Sequence, residues 1–169
     1  MYTKKASLLF WLLSLTAVAL AQDITELDKR RGFKDIKLGA SIDSVKGAKF
    51  KKDLKERDNA TAKLYTVEHP DYETIGEIKV DKIEVKTYKD LLYEITVITD
   101  KDPRLMKAME NVFGPPQYDA KNVRYYWKTD QIVLSFESKS KHQLQLVYTH
   151  LVAYKKMKED KEKKSRRHC

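Results

Sequence analysis

Tyr125, Tyr126 and Trp127 stand side by side and are the strongest recognition candidates in the chain. On a strand, Tyr125 and Trp127 would point to one side and Tyr126 to the other. Tyrosine and tryptophan are favoured contact residues because they cover much area at little conformational cost. Two assignments are open. One makes the trio core plus a tyrosine on the wet face. The other makes it an exposed aromatic patch, with Tyr65, Tyr72, Tyr88, Tyr93 and Tyr118 adding to the supply. A second candidate surface is basic: Lys155, Lys156, Lys163, Lys164, Arg166 and Arg167 would meet anionic lipid or polymer.

Catalysis has less to work with. Ser41 follows Gly39-Ala40 at an expected strand-to-helix turn, but the stretch from Leu38 to Asp43 lacks the second glycine of a nucleophile elbow. Helix capping explains Ser41 with fewer assumptions. Acid pairs such as Glu73 with Glu77, or Asp71 with Glu73, arise by composition where 35% of residues are charged, so they anchor no general acid–base role. His69, His142, His150 and His168 form no HExxH pair, and the single cysteine, Cys169, allows no CxxC. His142 and His150 would share a strand face but lie roughly 26 Å apart, too far for one metal. No catalytic residue, no metal site and no cofactor is expected.

These side chains need elements to hold them. Phe33–Leu38 alternates like a short strand, and Ser41 begins a helix that Gly47 interrupts. Residues 48–60 fit either a helical extension or a charged loop. From Ala62 to Asp100 the period is two, with strands around Leu64–Val67, Thr74–Val80 and Ile83–Thr87. In the next strand, Leu91–Thr99, Leu91, Tyr93, Ile95 and Val97 share a face. Asp102-Pro103 opens the clearest helix, striped by Leu105, Met106, Met109, Val112 and Phe113 and closed by Gly114-Pro115-Pro116. Strands follow at Val123–Lys128, Ile132–Glu137 and Leu144–His150, then a helical segment from Leu151. The order predicts an α+β fold: an antiparallel sheet with helices on one face, and two halves resembling a degenerate tandem repeat of helix plus β-meander.

The first 21 residues assign a compartment. Two lysines precede the apolar run Leu8–Leu20, and Ala19-Leu20-Ala21 supplies the small residues of a cleavage site. That order predicts a secretory signal peptide over 1–21, too short in its apolar part for a membrane span. A polar leader over 22–31, one domain over 32–154 and a basic helical or frayed tail over 155–169 complete the plan. Losing Lys4 and Lys5 lowers the net charge from +9 to +7, and the tail holds eight bases against three acids. The body then carries 24 bases against 22 acids, which does not fit a nucleic-acid binder. A lone terminal cysteine leaves packing to hold the fold.

Phe33–Gly47 (FKDIKLGASIDSVKG) followed by Tyr65 resembles the start of small exported bacterial proteins of unassigned function. Phe113-Gly114-Pro115, then Tyr126-Trp127 and an apolar strand, is similar to their second half. The helix-then-meander unit also resembles the SmpA/OmlA outer-membrane assembly lipoproteins and the β-lactamase inhibitor protein architecture. The lipid-attachment cysteine of the SmpA/OmlA group is missing, and the resemblance implies no catalytic residue. The expected function is a periplasmic or secreted, monomeric, non-enzymatic binding protein of the bacterial envelope. Its partner would be a protein or other envelope component, with no nucleic acid and no membrane segment after signal cleavage. The alternatives are a small periplasmic hydrolase and an anionic-surface binder acting through the basic tail.

Overall fold

The computed structural model describes residues 21–55 and 61–166. The expected signal peptide up to Leu20, Asn59 and its neighbours, Arg167 and Cys169 lie outside the described residues. Helix α1 (Ala21–Arg30) precedes a small hairpin of β1 (Gly32–Phe33) and β2 (Ile36–Lys37). A single 3-10 turn (Ile42–Ser44) leads to β3 (Ala48–Lys55) and β4 (Thr61–Val67). A second short turn (Pro70–Tyr72) is followed by β5 (Thr74–Ile75), β6 (Ile78–Tyr88) and β7 (Leu91–Asp100). Helix α2 (Pro103–Phe113) opens the second half, with β8 (Gln117–Asp119), β9 (Arg124–Lys128), β10 (Ile132–Ser138), β11 (Gln143–His150) and helix α3 (Leu151–Arg166).

The main sheet runs β3-β4-β6-β7-β11-β10-β9-β8, all pairs antiparallel, with β5 attached to β6. One half opens on a 3-10 turn and the other on helix α2, each followed by antiparallel strands, and the last strands of the halves, β7 and β11, meet at the centre. The fold class is therefore α+β, in the arrangement a degenerate helix-plus-meander repeat produces.

Register divides the side chains between two faces. Tyr65, Val85, Ile95, Tyr148, Leu134 and Trp127 line up across one face, and Val67, Ile83, Val97 and Leu146 beside them. Leu105 and Phe113 of α2 close over this core, as does Leu27 of α1, which is fully buried. Within the expected polar leader, residues 22–30 thus form a docked helix. One deep leucine in a polar stretch is too weak a period to read from sequence.

The Lys89-Asp90 turn holds both residues at positive φ, 51° and 62°, the geometry of a tight two-residue hairpin. Beyond it, the β6–β7 register slips: Lys86 pairs with Glu94 but Thr87 with Leu92. Tyr93 is the extra residue of a bulge, so it leaves the face of Ile95 and Val97, and Leu92 takes its place in the main core. On the opposite face Tyr93 meets Ala62 and Met157 of α3, with Leu54, Tyr88 and Ala153 around them. Helix α3 therefore lies across the face that α1 and α2 leave bare, and a domain boundary at 154 would cut through it.

Asp160 fastens this helix, accepting hydrogen bonds from Lys89 Nζ at 2.5 Å and from the Tyr88 hydroxyl at 3.1 Å. The bond from Lys89, then that from Tyr88, holds its carboxyl below the ordinary value of 3.8. A group whose folded pKa is depressed stabilises above its unfolded pKa and loses that contribution as pH falls through the folded one. Hydrogen exchange in α3 is expected to accelerate below about pH 4, before the sheet opens. Asp160→Asn should show the faster exchange already at pH 7 and lose the acid step. Equal protection of α3 in both proteins across that range would refute the contact.

Candidate functional site

The aromatic corner at β8–β9 is built by chain punctuation. Gly114, at φ 77°, ends α2 while its N–H donates to Glu110 O at 2.8 Å. Pro115 and Pro116 cannot extend the helix and deliver Gln117 into a strand. The turn after β8 is held by Asp119, whose carboxylate accepts from Asn122 N at 3.2 Å, Asn122 Nδ2 at 2.7 Å and Arg124 Nε at 3.3 Å. The Asn122 amide is the main reason that this carboxyl sits below its usual range. Val123 then re-enters the sheet at φ 52°, a left-handed conformation that a β-branched residue rarely adopts.

Tyr118 and Tyr125 face each other across the β8–β9 pair, ring centroids 5.0 Å apart and tilted by 46°. Tyr118 is 54% exposed, Tyr125 42% and the strained Val123 69%. The three cluster at the hairpin that closes one edge of the sheet. β8 is three residues long, and no described strand pairs with its outer edge. The opposite edge, β3, is guarded by Lys49, Lys51 and Lys52 and by a register shift at Lys51, devices that discourage strand addition.

The sequence trio does not form one surface. Tyr125 belongs to the exposed corner. Tyr126 turns to the other face, where its hydroxyl donates to Gln117 Oε1 at 2.5 Å. Trp127 is 1% exposed, packs against Phe113 at 6.1 Å and donates from Nε1 to Gly114 O at 2.7 Å, so it is a core residue and not a contact. In the sequence Tyr118 stands only among the additional tyrosines. The Asp119–Asn122 turn between two aromatics was the signal that would have paired it with Tyr125.

Of the basic tail, Lys155, Lys156, Lys163 and Arg166 are exposed on α3, and Lys164 lies in its last turn. Lys155 stands 4.0 Å from Glu159, and Lys158 covers the Tyr154 ring at 5.1 Å. Ser41 accepts from Asp43 N at 3.3 Å and caps the 3-10 turn, which is one turn rather than a longer helix. The acid pairs are spread: Glu77 meets Arg104 at 2.9 Å and Asp71 meets Lys46 at 3.1 Å. Lys46 also reaches Asp35 at 3.3 Å, and the bond from the Tyr72 hydroxyl is the main cause that lowers the Asp35 carboxyl. This cluster ties the β1–β2 turn to the two 3-10 turns. Among the described residues no three of His, Cys, Asp or Glu gather to hold a metal, and no helix is long and apolar enough to cross a membrane.

A family model described as the TP0088 domain matches residues 31–160. No curated protein and no solved structure matches the chain. Neither the SmpA/OmlA lipoproteins nor the β-lactamase inhibitor protein is linked to it by these findings.

Proposed function

The chain belongs to the TP0088 domain family, and we propose that it is a binding module of the bacterial envelope that grips a protein partner through the β8–β9 edge. One observation carries this reading: an exposed aromatic pair and a strained, exposed valine converge on a short sheet edge with which no described strand pairs. Strain in an exposed apolar residue persists only where the surroundings hold it, and it concentrates at functional positions. An open edge offers backbone donors and acceptors to an extended segment, and the tyrosines supply the anchoring area. The export-signal pattern of residues 1–21 supports the envelope as the compartment.

A photo-crosslinking side chain at position 118, in cells carrying the full chain, tests it. A discrete adduct with one envelope protein is expected from position 118 and not from position 50 on the lysine-guarded edge. With that partner purified, Tyr125→Ala should weaken binding by about thirtyfold in Kd, or about 2 kcal/mol, with a melting temperature within about 4 °C of the parent. No adduct at 118, or the same adduct from position 50, would refute the edge as the contact.

A further inference from the structure

Arg31 follows α1 in the left-handed conformation, φ 50°, with its N–H donating to Leu27 O at 2.9 Å. Glycine is the usual residue at this position after a helix, because a Cβ is crowded there. Glycine stands next door at position 32, yet an arginine occupies the crowded place. Its guanidinium is exposed and has no carboxylate partner among the described residues. The backbone here is fixed. Arg31 O accepts from Leu38 N at 2.7 Å, Gly39 N donates to Leu92 O at 2.7 Å, and Leu92 N donates to Ala40 O at 2.9 Å.

The bend so pinned places Gly39, at φ 81°, opposite the end of β11. A methyl group built on Gly39 would stand 3.6 Å from Arg31 Nη2, 3.7 Å from His150 Cε1 and 3.9 Å from His150 Nδ1. The bare Gly39 backbone thus leaves room for one methyl-sized group in ordinary contact with both an arginine and a histidine. His150 Nδ1 is buried and has no hydrogen-bond partner among the described residues, a condition that native structures rarely leave unmet. Nearby carboxylates are engaged elsewhere: Glu26 with Lys29 and Arg30, Asp28 with Thr129, and Asp35 with Lys46. Arg30, Lys34 and Lys37 add positive charge along the same stretch.

We propose that Arg31, His150 and the bare backbone of Gly39 form a binding site for a small oxyanion, a carboxylate or phosphate group. The guanidinium offers paired N–H donors that match two oxygens of such a group. The imidazole, in its Nδ1–H form, donates to an oxygen from the other side and satisfies its orphaned nitrogen. Burial, and then the charge of Arg31, hold the imidazole below its ordinary pKa of 6.5. An anion between them would offset the Arg31 charge and raise that pKa. The site lies on the α1–β2–β11 side of the fold and is independent of the β8–β9 edge.

The test follows the His150 ring resonances by NMR on the full chain, titrated with inorganic phosphate and, separately, with sodium acetate. A saturable shift of His150, with His69 and His142 unmoved, is expected from at least one of them at constant ionic strength. The arm that saturates at the lower concentration identifies phosphate or carboxylate as the ligand class. Arg31→Gly should abolish the shift and raise the melting temperature by about 3 °C, because glycine relieves the crowded backbone. His150→Phe should weaken binding at least tenfold, read by calorimetry with the better of the two anions. A shift matched by sodium chloride, a shift that survives Arg31→Gly, a lower melting temperature in that variant or unchanged affinity in His150→Phe would each overturn the site.

Discussion

Trp127→Ala is expected to destabilise the fold by about 3–5 kcal/mol, among the largest losses any single side chain here can produce. The indole is 1% exposed in the core between the sheet and α2, with the Phe113 ring 6.1 Å away. Truncation would leave a cavity where β9 meets the end of α2. It would also strand the buried carbonyl of Gly114, which now accepts from Nε1 at 2.7 Å. Trp127→Phe separates these effects, since it keeps most of the ring area but removes the donor. Its expected cost is about 1–3 kcal/mol, mainly the unpaired carbonyl. Urea unfolding gives both numbers as a lower midpoint at unchanged slope. The exposed corner provides the contrast: Tyr118→Ala and Tyr125→Ala should each stay within about 1 kcal/mol of the parent. A Trp127→Ala loss of the same small size would mean that the indole is not the keystone of that junction.

Position 127 also marks how far the sequence could be read. Alternation in Leu134–Phe136 and Leu144–Tyr148 is regular because those strands lie in the middle of the sheet with one face against the helices. Helix α2 was equally legible. Asp102 caps it by accepting from Arg104 N at 2.8 Å, and Gly114 ends it with a positive φ. The misreadings have physical causes. Tyr93 follows the period of Ile95 and Val97 in sequence, but a bulge, which no local pattern announces, turns it to the opposite face. Residues 48–55 form the edge strand β3, whose lysines hide the alternation. β8 is too short to show a period, and its tyrosine takes meaning only from a partner seven residues away across a turn. The Arg31–His150 approach joins residues from opposite ends of the domain, so no spacing rule could reveal it.

Gly47→Ala is expected to cost about 2–5 kcal/mol, the sum of two separable penalties. Gly47 has φ 70°, so any side chain there adopts a left-handed backbone. A Cβ would also fall 2.0 Å from Glu68 O and 2.7 Å from Glu68 C, distances at which backbone must move. That backbone is committed. Gly47 O accepts from Glu68 N at 3.0 Å, and the β3–β4 ladder begins one residue on, with Ala48 opposite Val67. Displacing either chain would loosen the start of the ladder and the neighbouring Lys46 pairs to Asp35 and Asp71 at 3.3 Å and 3.1 Å. Gly76 isolates the first penalty: its φ is 60°, but a Cβ there meets nothing within 4 Å. Gly76→Ala should therefore cost about 1–2 kcal/mol, from backbone conformation alone. The difference between the two variants in urea unfolding measures the steric clash at Glu68. Equal losses would show that β3 and β4 separate there at little cost, and that the junction of the first meander is not the rigid point its geometry describes.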